Sequence, residues 1–215
     1  MVLEQPSTDA APLHALHREL LDLGICRPGS LELFHERTRD REDVAAYRCR
    51  ESGVVVLSTI DHIDAAYYPD KAHEELAALG DRDRVAMAHD EDTSRRAVQF
   101  SGGITNQRWL DVGCGSGAML DRLGERAVSA AAVEPQGEFQ RALRAKGYEV
   151  FADVREVPEA SIDVATLFHV FEHLPNPLAD LRELRTRLAP GGKVIIEVPH
   201  ARDFLLSFLE VDAFR

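Results

Sequence analysis

The sequence predicts an α/β protein: a doubly wound, mostly parallel sheet over residues 101–215, preceded by an N-terminal α+β extension over residues 1–100. Three observations predict it. From about residue 105 strand-like and helix-like segments alternate, which is the order of successive βαβ units. The segments 128–133 and 162–168 are apolar on both faces, as strands covered by helices on either side must be. Three alternating glycines, Gly113, Gly115 and Gly117, stand where the first of these strands turns into its helix.

Taken in order, Leu13, Leu16, Leu20 and Leu23 recur at helical spacing, and Gly24 stands where that helix stops. Segments 44–50 and 54–58 read as a hairpin joined through Glu51-Ser52-Gly53. After Pro69, Ala72, Leu76 and Leu79 predict a second short helix that ends at Gly80. The stretch 81–96 is dense in charge and reads as a helix with a large solvated face. No internal repeat or low-complexity tract interrupts this part.

The regular pattern begins with the strand 108–112, which runs into Gly113-Cys114-Gly115-Ser116-Gly117 and then a helix over 118–123 stopped at Gly124. A second strand, 128–133, closes on Glu134. Phe139, Ala142 and Leu143 mark a helix ending at Gly147, and Glu149-Val150-Phe151 is a short third strand followed by Asp153. The fourth strand is 162–168. The next helix has Asn176 as cap, Pro177 at its first position, Leu178, Leu181, Leu184 and Leu188 on one face, and Pro190-Gly191-Gly192 as its stop. The fifth strand is 193–198. Right-handed crossovers between these strands put a ligand cleft at their carboxyl ends.

Composition narrows the function. The 215 residues, 45% hydrophobic and 29% charged, suffice for a buried core and exclude a disordered tail or a fibre. Acidic residues outnumber basic ones, 37 to 25, for a net charge of −12. Such a surface repels phosphate backbones, so the expected partner is a small-molecule acceptor and not nucleic acid. No apolar run is long enough to cross a bilayer, and Met1 to Pro6 lack the features of a signal peptide. Three scattered cysteines, Cys26, Cys49 and Cys114, fit a reducing compartment, so the expected location is the cytoplasm.

Glycine at 113, 115 and 117 lets the chain turn tightly and lets a ligand approach it without meeting a Cβ. A helix start behind such a loop offers N–H groups to an anion. With Ala118 in the third small-residue place, the loop alone admits a nicotinamide dinucleotide. Glu134 does not separate the cases, because a carboxylate there accepts from the hydroxyls of any ribose.

The flanking residues separate them. Leu110-Asp111-Val112-Gly113-Cys114-Gly115-Ser116-Gly117 resembles the first motif of class I S-adenosylmethionine (SAM)-dependent methyltransferases. Val133-Glu134-Pro135, Ala152-Asp153-Val154, Ser161-Ile162-Asp163-Val164 leading to Phe168-His169-Val170-Phe171-Glu172-His173-Leu174, and Leu188-Ala189-Pro190-Gly191-Gly192-Lys193 follow in that family's order. The resemblance implies a Rossmann-like core with SAM as cofactor. It implies that Gly113, Cys114, Gly115 and Gly117 pass under the methionyl part and that Asp111 fixes the loop and the amino group. Glu134, followed by Pro135, would grip the ribose hydroxyls, and Asp153 and Val154 would meet the adenine beside Phe168. Asp153 is equally placed to be a turn or cap residue.

Methyl transfer asks the protein to place an acceptor atom behind an activated carbon, and a hydroxyl acceptor adds the need for a base. His169, His173 and His200 lie near the carboxyl ends of the fourth and fifth strands, with Glu172 beside them. His169 is the first candidate base. Glu172-His173 resembles a Glu-His pair of small-molecule methyltransferases, including those of ubiquinone biosynthesis, although His173 could equally serve the following helix.

In the extension, Cys49-Arg50-Glu51-Ser52-Gly53 resembles half of a Cys-x-x-Cys-Gly zinc knuckle whose second cysteine is Ser52. The resemblance to methyltransferases with such a module makes a sugar or lipid-linked saccharide the first expected acceptor and a quinone-like phenol the second. Too few ligands remain for structural zinc, so no metal is expected. Class I cores continue past the fifth strand, whereas this sequence ends at Arg215 after the apolar run 204–209. The expectation is a fragment, a core short of its last strands whose fifth strand is covered by the N-terminal helices, a partner or a second copy, or a non-catalytic SAM-binding subunit.

Overall fold

In the computed structural model residues 13–38, 41–61 and 81–200 are described. The chain divides into two compact units, Met1–Asp64 with Pro199–Arg215, and Ala65–Val198. The helix expected before Gly80 and the apolar run 204–209 lie outside the described residues.

The first unit opens with helix α1 (Ala15–Asp22), whose amino end is capped by the His14 ring accepting from the His17 N–H. Gly24, at φ +68°, takes the left-handed turn that ends it. Strands β1 (Leu31–His35), β2 (Ala46–Cys49) and β3 (Val55–Leu57) form an antiparallel sheet in that order. The β2–β3 hairpin is the predicted one and turns through Gly53 at φ +78°. Strand β1 is not among the elements expected from the sequence. Its five residues become a strand through tertiary contact, with Leu31 joining Cys26, Cys49 and Val56 in one buried cluster.

The second unit carries a five-stranded sheet in the order β6-β5-β4-β7-β8, every pair parallel. The strands are β4 (Arg108–Val112), β5 (Ser129–Val133), β6 (Glu149–Phe151), β7 (Ile162–Phe168) and β8 (Leu188–Glu197). The helices are α2 (Arg82–Ala88), α3 (Asp90–Ile104), α4 (Ala118–Leu123), α5 (Gly137–Ala145) and α6 (Pro177–Arg187). The period-two alternation of β4 separates two cores. Trp109 packs with Ile104, Leu120 and Leu143 on one face, and Leu110 with Val133, Leu167 and Leu184 on the other. This is the doubly wound α/β sheet expected, and chain reversal between β4 and β5 on one side and β7 on the other opens a crevice at the carboxyl end of β4. No helix among the described residues is long and apolar enough to cross a membrane.

Several details differ from the sequence reading. The charged stretch 81–96 is two helices, and it is not simply a solvated face: Arg82, Val85 and Thr93 are buried. Both helices fall in the second unit. The fifth strand begins at Leu188 instead of residue 193. Leu188 pairs with Ile162, the register shifts, and pairing resumes at Lys193 with Val164, so Pro190-Gly191-Gly192 is an irregularity inside β8. Asn176 occupies the cap position of α6, but it makes no side-chain capping bond; its carbonyl accepts from the Asp180 N–H at 3.1 Å.

Two glycine substitutions test this packing. A Cβ at Gly102, inside α3, meets nothing within 4 Å, so Gly102→Ala should raise stability by about 0.5–1 kcal/mol through helix propensity. Gly117 has φ +73° and its Cβ would meet the Leu143 side chain, so Gly117→Ala should lower stability by at least about 1–2 kcal/mol. Urea unfolding of both variants measures the contrast.

Candidate functional site

A cleft of 1060 Å³ opens at the carboxyl ends of the parallel strands, among Asp111, Gly115, Glu134, Asp153, Phe168 and His169. Cys114, Pro135, Val154 and His173 also line it. The glycine loop enters it from β4. Gly113, Gly115 and Gly117 have φ of +66°, +53° and +73°, values that side-chain-bearing residues rarely adopt. Their surroundings differ. A Cβ at Gly113 would stand 2.5 Å from Val170 Cγ2, and one at Gly117 would overlap Leu143, so those two glycines are required by protein packing. At Gly115 a Cβ would meet nothing within 4 Å, which leaves its face open to the cleft.

Glu134 holds this loop. Only 2% exposed at the end of β5, it accepts the Gly115 N–H on Oε2 at 2.8 Å and the Gln136 N–H on Oε1 at 2.9 Å. Burial raises its pKa, and the two backbone N–H bonds oppose that rise. On the other side of the loop Arg82, buried in α2, donates through Nε to the Ser116 carbonyl and through Nη2 to Asp121 at 2.6 Å. Arg82 was hidden in the charge-dense stretch 81–96, and no signal in the sequence separates it from its solvated neighbours.

Asp111 lies at the floor, 3% exposed. Its Oδ1 accepts from the Thr166 hydroxyl at 2.7 Å, and Thr166 Oγ1 in turn accepts the Trp109 indole N–H at 2.9 Å. Burial pushes the Asp111 carboxyl up to about 7, against the Thr166 bond and the Arg96 charge; Glu134 adds to the rise. Burial also pushes the Cys114 thiol up, so this cysteine is a neutral lining group. Thr166 did have a sequence signal, as the one hydroxyl within the apolar strand Ile162–Phe168.

Asp153 takes up the turn role. Its Oδ1 accepts the Arg155 N–H at 2.8 Å, and its two oxygens receive Arg155 Nε and Nη2 at 2.7 and 2.6 Å. Arg155 holds its pKa below the usual carboxylate range. Phe168 ends β7 stacked on Phe100 at 5.1 Å between centroids, with the Arg96 guanidinium 5.4 Å from its ring.

His169, Glu172 and His173 lie close together just beyond β7. His169 has φ +55°, a value that residues with side chains rarely adopt, and its N–H donates to the Glu197 carbonyl at 2.9 Å. Its Nδ1 stands 3.2 Å from Glu172 Oε1 and its Nε2 3.7 Å from Glu197 Oε1. His173 Nε2 lies 3.9 Å from the same Glu172 oxygen. Glu172 is outside the cleft lining and reaches it through the two rings. His200 follows β8, which ends at Glu197. Glu197 and Arg96 were missed in the sequence. Glu197 receives Arg95 Nη2 at 2.8 Å and Arg96 Nε at 2.7 Å, which bring its carboxyl down to about 2. Arg96 also lines the cleft, and its buried Nη2 has no hydrogen-bond partner among the described residues.

Residues 65–214 match a family model described as a methyltransferase domain. The chain belongs to this methyltransferase family. It is 31% identical over 106 residues to the ubiquinone biosynthesis O-methyltransferase of Aeromonas salmonicida, covering 45% of this chain and 44% of that protein. It is 26% identical over 153 residues to the enzyme of the same name from Pseudomonas aeruginosa (strain LESB58), covering 65% of this chain and 64% of the relative. The chain thus spans about half to two thirds of the length of these curated relatives. Among solved structures, the DhpI-SAM-HEP complex aligns with a TM-score of 0.51 at 20% identity, over 67% of this chain and 69% of that one, which marks a shared fold.

Membership in a class I methyltransferase family implies SAM as the cofactor, and the residues present fit it. The open face of Gly115 suits close approach of a ligand, and the unpartnered Arg96 Nη2 suits a carboxylate. Asp111 and Glu134 supply buried carboxylates to a cationic, ribose-bearing molecule.

The Asp111 shift has a measurable sign. A carboxyl raised from 3.8 to about 7 in the folded state binds more protons folded than unfolded, so its contribution to stability falls as pH rises from about 4 to about 7. The stability of Asp111→Asn relative to the parent should therefore rise across that window and level off above it, as read by urea unfolding at a series of pH values.

Proposed function

We propose that this chain binds SAM in the cleft and catalyses methyl transfer to a hydroxyl of a small-molecule acceptor. The observation that carries the reading is the glycine loop. It is held by Glu134 and Arg82, and of its three glycines Gly115 alone has free space where a Cβ would stand. SAM, when bound, supplies a methyl carbon already activated by a positive sulfonium.

The protein's own part is binding, orientation and proton removal. Arg96 Nη2 is available to the amino-acid carboxylate, and Asp111 to the ammonium group. Each Glu134 oxygen, having accepted one backbone N–H, retains a lone pair for a ribose hydroxyl. Gly113, Cys114, Gly117 and Pro135 shape the loop and its exit. Asp153 meets the adenine amino group by exchanging part of its Arg155 bond, with Val154 and Phe168 beside the ring.

His169 is the general base. Glu172 on one ring nitrogen and Glu197 near the other hold its orientation as it takes the acceptor proton. His173 lies across Glu172 as a second imidazole at the acceptor side.

A phenolic or quinol hydroxyl is the favoured acceptor, supported by the names of the two curated relatives. The first expectation, a sugar or lipid-linked saccharide, keeps one supporting observation, the knuckle-like turn Cys49 to Gly53. A non-catalytic SAM-binding subunit would show binding without turnover.

The test is methyl transfer from labelled SAM to a catechol-type phenol and to a nucleotide sugar. Transfer to the phenol is expected. His169→Ala should keep cofactor affinity within about twofold while slowing transfer about 100-fold or more. Gly115→Arg should abolish cofactor binding. Parent-like binding by Gly115→Arg would remove the site assignment, and parent-like turnover by His169→Ala would remove the base.

A further inference from the structure

Cys26 and Cys49 take no part in the cleft chemistry. Both are 1% exposed, and both belong to the small core of the first unit with Leu31 and Val56. Each stands at the start of a tight turn. The first is closed by the Ser30 N–H on the Arg27 carbonyl at 3.0 Å, the second by the Gly53 N–H on the Cys49 carbonyl at 2.9 Å. The turns are joined by the Arg50 N–H on the Ser30 carbonyl at 3.0 Å.

This brings two thiols and two hydroxyls to one place. Ser30 Oγ is 3.3 Å from Cys49 Sγ, and Ser52 Oγ is 4.0 Å from Cys26 Sγ. The Ser52 N–H donates to Cys49 Sγ at 3.5 Å, so one serine touches both sulfurs, and the two cysteines pack in the same buried cluster. The two sulfurs are therefore chemically unequal. Burial pushes the Cys49 thiol up, but the Ser30 and Ser52 hydroxyls and the Ser52 and Glu51 backbone N–H groups outweigh it and bring it down to about 6. Burial, and after it the neighbouring Cys49, push the Cys26 thiol up to about 11. One is an incipient thiolate in a nest of donors, and the other is a protonated neighbour.

A metal is the weaker reading of this cluster. Structural zinc takes four strong ligands, and no group of three or more His, Cys, Asp or Glu among the described residues is arranged to hold an ion. A disulfide needs only the two sulfurs. Cover over the pair is thin, since Glu51 and Ser52 of the second turn are exposed while Ser52 itself bonds Cys49.

We propose that Cys26 and Cys49 are a redox-modification site, a dithiol that a hydroperoxide converts to an intramolecular disulfide. The Cys49 thiolate attacks one peroxide oxygen, the O–O bond breaks, and hydroxide leaves, giving a sulfenic acid. The Cys26 sulfur then attacks Cys49 Sγ. The S–S bond forms, the S–O bond breaks, and the departing hydroxide takes the Cys26 proton as water. Two thiols and one hydrogen peroxide thus give one disulfide and two waters.

The experiment treats the full chain with one to two equivalents of hydrogen peroxide and follows free thiols and peptide masses. The expected result is a fall from three free thiols to one, with Cys114 still free, a loss of two hydrogens, and a Cys26–Cys49 linked peptide that dithiothreitol reverses. Cys26→Ser should stop at the sulfenic acid, trapped by dimedone on Cys49. In Cys49→Ser, Cys26 should stay unmodified. Three free thiols after treatment, a link through Cys114, or a linked pair of chains would overturn the proposal. So would thiols that react only after a chelator has removed a bound metal.

Discussion

One buried carboxylate organises the second unit. Glu134 follows the last residue of β5, and its main chain and side chain reach in four directions. Its N–H donates to the Phe151 carbonyl of β6, and its own carbonyl accepts the Gln140 side chain from α5. Its two carboxylate oxygens take the Gly115 and Gln136 N–H groups. A carboxylate so buried is costly unless both oxygens are hydrogen-bonded, and here the backbone itself supplies the donors. The result is that the glycine loop is held before any ligand arrives, so binding need not meet the entropy of ordering it.

The floor of the cleft follows the same logic one strand over. Asp111, Thr166 and Trp109 form a buried chain of hydrogen bonds between β4 and β7, the two strands that meet at the crevice. Beyond β7 the chain leaves the sheet through His169 in a left-handed conformation, pinned by the Glu197 carbonyl of β8. Arg95 and Arg96 of α3 pair with Glu197, so the His169 side of the cleft is set by a helix that precedes the sheet in sequence.

What was legible in the sequence is what local pattern encodes. Alternating strand and helix periods, the glycine loop and the acidic residue closing β5 each carry a signal within a few residues, and the structure has them in those places. Residues that act across long sequence separations carried none. Arg82 reaches Ser116 and Asp121 from over thirty positions away, and Arg95 and Arg96 reach Glu197 across about a hundred. In a charge-dense stretch these arginines look like any solvated cation until tertiary packing buries them. Strand β1 was missed for a related reason, because five residues with partial alternation become a strand only when β2 is beside them. The register shift inside β8 shows the converse: Pro190-Gly191-Gly192 has the composition of a helix stop, yet the strand is already paired at Leu188.

Glu134→Gln isolates what the preformed loop contributes to binding an adenosyl amino acid. Glutamine keeps the size of the side chain but offers one acceptor oxygen where two backbone N–H groups need one each. Calorimetric titration of S-adenosylhomocysteine into parent and variant, with NADH as the control ligand, is the direct measurement. Micromolar binding of S-adenosylhomocysteine by the parent, no binding of NADH, and at least about a tenfold loss in the variant are expected, the last being the cost of one buried unsatisfied donor. Equal affinity for parent and variant, with the variant folded, would contradict that role of Glu134.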